Sequence, residues 1–145
     1  MGNEIIIKID GIDVDKRKEL EPGDDREYIS PYARFFDREN PKMDLHSDPE
    51  YMLMFLRQQE VYVNELLKVR GHVFLNEVYD MLGIPRTKAG QVVGWIYDSD
   101  NPVGDNHIDF DIYSKRNIDF VNGFAYSALL DFNVDGIILD KIYKD

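Results

Sequence analysis

The strongest hydrophobic pattern along the chain is helical and lies between residues 48 and 70. Apolar side chains recur there at steps of three and four, which predicts a long amphipathic helix. Asp48 is suited to be its N-cap and Pro49 its first residue, and the helix is predicted to end near Arg70. Its first half, residues 52–56, is apolar nearly all round and is expected to be enclosed from more than one side.

A second, shorter helical stripe follows and is predicted to pair with a third helix across a tight corner. Gly83 is predicted to end the second helix in a left-handed conformation, and Asn76 is predicted to face water. Thr87 is expected to cap the third helix, which runs to about Val93, and Trp95 is expected to be buried with its indole N–H on an acceptor. The apolar stripe of the second helix consists of Leu75, Val78, Tyr79 and Leu82.

The N-terminal part differs in composition from the rest of the chain. An isoleucine-rich run at residues 4–10 predicts a short strand, and the charged residues 13–27 are interpreted as an arm. Residues 28–36 form an irregular aromatic patch that is expected to make one turn and pack against the core. The predicted organisation is therefore a strand and arm over residues 1–27 and a single domain over residues 28–145.

In the C-terminal third the hydrophobic period changes from helical to alternating. Residues 107–113 alternate apolar and polar side chains, and this predicts a half-buried strand. Further strands are predicted at residues 126–132 and 137–142, which gives a small antiparallel meander. Residues 115–122 are either a helical turn ended by a glycine or part of an Asn-Gly hairpin. A long helix, a helix-turn-helix-like pair and a meander together predict an α+β fold.

Composition limits the function classes. The chain has 145 residues, no cysteine and a formal net charge of −11, which excludes disulfides, thiolate metal sites and a cysteine nucleophile. Since nucleic-acid affinity depends largely on Lys and Arg, an acidic chain without a basic patch is not expected to bind DNA or RNA directly. No segment is long and apolar enough to cross a membrane, and the expected location is cytoplasmic.

Several segments resemble a family of uncharacterised proteins encoded by phages and prophages of Firmicutes. The resemblance extends over roughly residues 28–142 and implies a viral origin and a host-cytoplasmic protein, but it carries over no catalytic residue. Many members of that family have an apolar membrane-anchoring segment ahead of this part, and this chain is expected to lack one. The segments are SPYARFF (30–36), DPEYMLMFLR (48–57), RGHVFLNEVYDMLGIPRT (70–87), GQVVGW (90–95) and LLDFNVDG (129–136).

Two kinds of chemistry are conceivable from the residues. Asp109, Asp111 and Asp131 are candidates to meet on neighbouring strands and hold a divalent metal for a hydrolase or nuclease reaction. The predicted helix pair also has the order of a helix-turn-helix motif, with Arg86 and Lys88 nearby for DNA. Neither pattern is completed by a recognisable catalytic or cofactor-binding motif, so no cofactor is predicted.

The leading hypothesis is a non-enzymatic protein that acts by protein–protein contact, either on a host factor or in an assembly. Its acidity favours a basic partner, which would be steered toward the carboxylates crowded into one loop and strand. The aromatic patch is the alternative contact surface. The sequence leaves the oligomeric state open. The candidate partner-binding residues are Asp98, Asp100 and Asp105 in the loop and Tyr28, Tyr32 and Phe35 in the patch.

Overall fold

The computed structural model of the protein describes residues 28–142, so the predicted strand at residues 4–10 and the charged arm lie outside the described residues. Four helices and two small antiparallel sheets make up the described part, which confirms the α+β class. The elements are β1 (Arg34–Asp37), α1 (Pro49–Arg70), β2 (His72–Phe74), α2 (Leu75–Leu82), β3 (Val93–Ile96), α3 (Ile118–Val121), β4 (Ser127–Leu130), β5 (Gly136–Ile137) and α4 (Leu139–Ile142). Short 3₁₀ turns lie at Ala89–Gln91 and Lys115–Asn117.

Helix α1 begins and ends where its local signals predict. The Asp48 carboxylate accepts a hydrogen bond of 2.8 Å from the Tyr51 N–H, which caps the first turn. At the other end Gly71 adopts a left-handed conformation with φ 90°, as a C-capping glycine does. The sequence predicts that residues 52–56 are enclosed from more than one side. Met52 and Leu56 are buried and Leu53 and Phe55 are half-buried, but the side chain of Met54 is exposed. The fully buried face of the helix consists of Met52, Leu56, Val63 and Leu67.

Helix α2 also matches its prediction, and all four residues of its stripe are buried. Gly83 ends it with φ 74°, and the Ile84 N–H donates to the Tyr79 carbonyl at 2.8 Å. Asn76, however, is buried rather than exposed to water. Its amide accepts from the Thr87 N–H at 3.0 Å and donates to the Thr87 carbonyl at 2.9 Å, so it fastens the following turn to α2.

The predicted third helix is wrong. Thr87 does cap a turn, accepting from the Gly90 N–H at 2.9 Å, but that turn is a single 3₁₀ turn and Val93 opens strand β3. Strand pairing with β2 and β5 decides the conformation here, and the β-branched Val92 and Val93 favour it. A helix-turn-helix motif is therefore absent from residues 28–142, and the DNA-binding hypothesis loses its recognition helix.

The predicted C-terminal meander is also wrong, because the strands find partners far away in the chain. Strand β4 pairs with β1, and β5 pairs with β3, which in turn pairs with β2. All pairings are antiparallel. Beyond the short β5 the predicted strand at residues 137–142 is replaced by helix α4. Residues 115–121 are helical and Gly123 has φ 88°, which resolves that alternative in favour of the helical turn.

Residues 107–113 bury the side chains that alternation predicted but form no strand. Ile108, Phe110 and Ile112 are all buried, while the backbone bonds to side chains of α1 instead of to a neighbouring strand. Asn64 accepts from the Ile108 N–H at 2.7 Å and donates to its carbonyl at 2.9 Å, and Glu60 accepts from the Phe110 N–H at 2.8 Å. An extended segment is thus stabilised by helix side chains in place of a ladder.

Candidate functional site

The acidic loop between β3 and α3 holds the first set of candidate residues. Asp98, Asp100 and Asp105 are exposed there. The Asp98 carboxylate accepts from the N–H groups of Asp100 and Asn101, both at 3.0 Å. Asn106 joins the two ends of the loop, because its side chain accepts from the Asp98 N–H at 3.0 Å and donates to the Asp98 carbonyl at 3.1 Å. The loop therefore has a defined shape that presents its carboxylates to solvent.

Asn133 connects this loop to the core. Its side-chain oxygen accepts from the Trp95 indole N–H at 2.9 Å and from the Asp109 N–H at 2.8 Å. Its amide nitrogen donates to Asp105 and to the His107 carbonyl, both at 3.0 Å. Trp95 itself is fully buried, as predicted, and its indole also donates to the Asn133 carbonyl at 3.0 Å. A single amide therefore holds the acidic loop, the extended segment and the tryptophan together.

Two carboxylates with raised pKa values support the same region. Burial raises the pKa of Asp135, whose carboxylate accepts from the Ile96 N–H at 2.9 Å and lies near Asp105. Burial also raises the pKa of Glu60, and the hydrogen bond from the Phe110 N–H partly opposes that shift. Asp135 binds a backbone N–H at the end of β3 and Glu60 binds one in the extended segment, so their geometry gives both a structural role.

The three aspartates proposed for a metal site have separate partners. Asp109 accepts from the N–H of Asp111 at 2.7 Å, and the Asp111 carboxylate pairs with Arg116 at 3.0 Å. Asp131 instead accepts from the Ser30 hydroxyl at 2.7 Å, next to the start of the described chain. Within residues 28–142 there is no group of three or more acidic, histidine or cysteine side chains that could hold a metal ion.

The aromatic patch is only partly a surface. Tyr28 and Phe35 are 63% and 54% exposed, but Tyr32 is half-buried, and its carbonyl accepts from the Tyr79 hydroxyl at 2.7 Å. The prediction of one irregular turn over residues 28–36 is wrong for residues 34–36, which belong to β1 because they pair with β4. In this strand Phe36 faces the core, while Phe35 points outward opposite Leu129. The alternating burial of β1 therefore divides the patch between the core and the solvent.

A more extensive apolar surface lies along the outer side of α1, and sequence reasoning missed it. It consists of five exposed apolar residues. Their spacing along the helix is three, seven, one and seven residues, which places all five on one side. A signal is present in the sequence, since apolar residues occur on two sides of this helix, but the helical pattern predicts one apolar and one polar side and does not single these residues out. The residues, here called the α1 stripe, are Tyr51 (51% exposed), Met54 (51%), Val61 (61%), Tyr62 (56%) and Val69 (87%).

Charged side chains accompany the α1 stripe in balanced numbers. Glu50 and Glu65 are exposed on the same side of the helix as Arg57 and Lys68. The stripe also borders a shallow groove whose lining includes Leu53 and Gln58. The outer side of α1 thus combines apolar contact area with a local charge of zero, in a chain whose net charge is −11.

Among the helices of residues 28–142, none has the length and apolar character needed to cross a membrane.

Comparisons with known proteins define the family of the chain without assigning it an activity. Neither a curated protein nor a solved structure matches the chain. A family of unknown function (DUF6353) matches residues 4–142, which is nearly the whole chain and includes most of the segment ahead of Tyr28. The chain therefore belongs to this family of unknown function, DUF6353.

Proposed function

We propose that this protein acts by binding another protein rather than by catalysis, and that the α1 stripe is its contact surface. The observation that supports the proposal is the stripe itself, in which five apolar side chains between half and nine-tenths exposed follow one side of a 22-residue helix. Isolated exposed apolar residues are common on monomeric proteins, whereas several of them grouped along one side of a helix are a feature of interaction sites. The exposed polar residues Gln58 and Glu65 lie among the five.

The free energy available from burying the α1 stripe is large enough to contribute to binding. Burying a Val, Met or aromatic side chain contributes about 1.5–3 kcal/mol relative to leaving it exposed. Roughly half of that is available at each position of the stripe, because each side chain is already partly covered. Five such positions offer about 4–7 kcal/mol, enough to offset a large part of the cost of association. An amphipathic helix packed against an apolar partner surface is a common mode of protein recognition.

The cellular setting is part of the proposal. The resemblance to phage and prophage proteins of Firmicutes supports a viral gene product that works in the cytoplasm of a bacterial host, in an assembly or on a host factor. The acidic loop is the competing contact surface, and it would suit a basic partner. The two surfaces are distinguishable because the loop would bind through charge and the stripe through apolar area.

The test compares three forms of the full chain as bait in host-cell lysate. The stripe variant carries Met54→Gln and Val61→Lys, and the loop variant carries Asp98→Asn, Asp100→Asn and Asp105→Asn. All five positions are exposed, so melting temperatures should stay close to that of the wild type. We expect captured proteins, further copies of this chain included, to be lost with the stripe variant and kept with the loop variant. If captured proteins are lost only with the loop variant, the acidic loop and not the α1 stripe is the contact surface.

A further inference from the structure

Building on the proposed function, we infer that the protein bound at the α1 stripe is a second copy of this chain, with the two α1 helices packed antiparallel. The inference comes from three properties of the outer side of α1: its local charge, the order of its charged residues, and its area.

The local charge of α1 suits a self-contact better than a basic partner. Along the helix the acidic residues Glu50, Glu60 and Glu65 are balanced by Arg57, Lys68 and Arg70. The entire net charge of −11 therefore lies outside α1. Two acidic copies that meet through α1 therefore bring no net helix charge into contact, while a basic partner would be attracted to the acidic parts of the chain.

The order of the charges selects the orientation of the two helices. Glu50 lies near the start of the stripe and Lys68 near its end, on the same flank of the helix. In an antiparallel helix pair with a two-fold axis passing near Gln59, Glu50 of one copy lies opposite Lys68 of the second copy. Because of the two-fold symmetry, the same ion pair forms twice. A parallel pair would instead place Glu50 opposite Glu50 and Lys68 opposite Lys68. Charge complementarity therefore favours the antiparallel arrangement.

The area of the stripe sets the expected strength. The 22 residues of α1 span about 33 Å, and the exposed parts of its five apolar side chains amount to roughly 500 Å² per copy. A standard stable interface buries about 800 Å² per partner. The pair should therefore be a weak, reversible dimer rather than a permanent one.

The experiment is sedimentation equilibrium of the full chain over a range of concentrations, combined with a charge-swap cycle. We expect a monomer–dimer equilibrium that Glu50→Lys weakens by about fivefold or more, since both symmetric pairs become repulsive. Lys68→Glu alone should weaken it similarly, and the double variant Glu50→Lys/Lys68→Glu should restore the wild-type constant. Glu39→Lys and Lys88→Glu, exposed positions outside α1, are the controls for net charge.

Salt gives an independent readout. Because the charges of α1 cancel and the remaining carboxylates of the two copies repel each other, added salt should leave the dimer unchanged or tighten it. Failure of the double variant to restore association would overturn the antiparallel pairing. A monomer at every concentration would overturn the inference as a whole. In that case the proposed function survives if the stripe variant still loses its captured proteins. It fails together with the inference if the stripe variant keeps all of its captured proteins.

Discussion

Replacing Asn133 with alanine is expected to destabilise the protein well beyond a surface substitution. The wild-type amide joins Trp95, Asp109, Asp105 and His107 through four hydrogen bonds of 2.8–3.0 Å. Alanine removes all four while leaving the backbone of residue 133 in place. The acidic loop and the extended segment behind it then lose their common attachment to the core.

The magnitude follows from the surroundings of each bond. A typical intramolecular hydrogen bond contributes about 0.5–1.5 kcal/mol net. Three of the four bonds are solvent-exposed, and the Trp95 indole keeps a second acceptor in the Asn133 carbonyl, so the lower half of that range applies. The expected loss in the free energy of unfolding is about 2–3 kcal/mol, which corresponds to roughly 6–12 °C in melting temperature for a domain of this size.

The assay is urea unfolding followed by tryptophan fluorescence, because Trp95 is the only tryptophan and lies at this junction. Asn101→Ala is the matched control, since Asn101 is exposed in the same loop and is bonded to Asp98 through its backbone N–H. The control should change stability by less than about 0.5 kcal/mol. If Asn133→Ala costs no more than Asn101→Ala, the role given to this amide is wrong.

Three further predictions concern the core, the sheet and the pH dependence of stability. Trp95→Ala should cost about 3–5 kcal/mol in urea unfolding followed by circular dichroism, and a loss below about 1 kcal/mol would show that the ring is not part of the core. Gly94→Ala should lower the melting temperature severely, because a Cβ there would overlap the Val73 carbonyl across β2 and β3; normal stability would contradict that pairing. Burial raises the pKa of Glu60 above its ordinary value of 4.5, so its stabilising contribution is present below that pH and is lost as the pH rises through the higher folded value. Glu60→Gln keeps an acceptor for the Phe110 N–H and should flatten this part of the stability–pH profile, and an unchanged profile would refute the assignment.

Helix ends were predictable from the sequence because their signals are local. Asp48 and Pro49 specify the start of α1, and Gly83 specifies the end of α2, through chemistry within one turn of the helix. The strand partners were not predictable in this way. Whether β4 pairs with β1 or with a nearer strand depends on packing across most of the chain, about which local alternation contains no information.

At the candidate surfaces, too, local features were predictable from the sequence and contacts between distant residues were not. Alternation correctly predicted that Ile108 and Phe110 face inward, but it could not reveal that Asn64 and Glu60 replace a neighbouring strand. On α1, apolar residues occur on two sides of the helix, so the hydrophobic period of the sequence does not show which side is buried. Only the structure separates the buried face from the exposed α1 stripe. The exposed carboxylates of the acidic loop were identified correctly as surface groups, and their role in binding stays a prediction.

The most direct measurement of the central claim, that the α1 stripe binds protein, is photo-crosslinking from the stripe in living cells. A photoreactive phenylalanine replaces Val61 in the full chain, and the same residue at the exposed Arg86 is the control. We expect an adduct of about twice the chain mass from position 61, with the crosslinked peptide lying in α1 of the second copy, and no such adduct from position 86. Crosslinks from position 61 that stay within one chain, or that are absent while position 86 reacts, would contradict it.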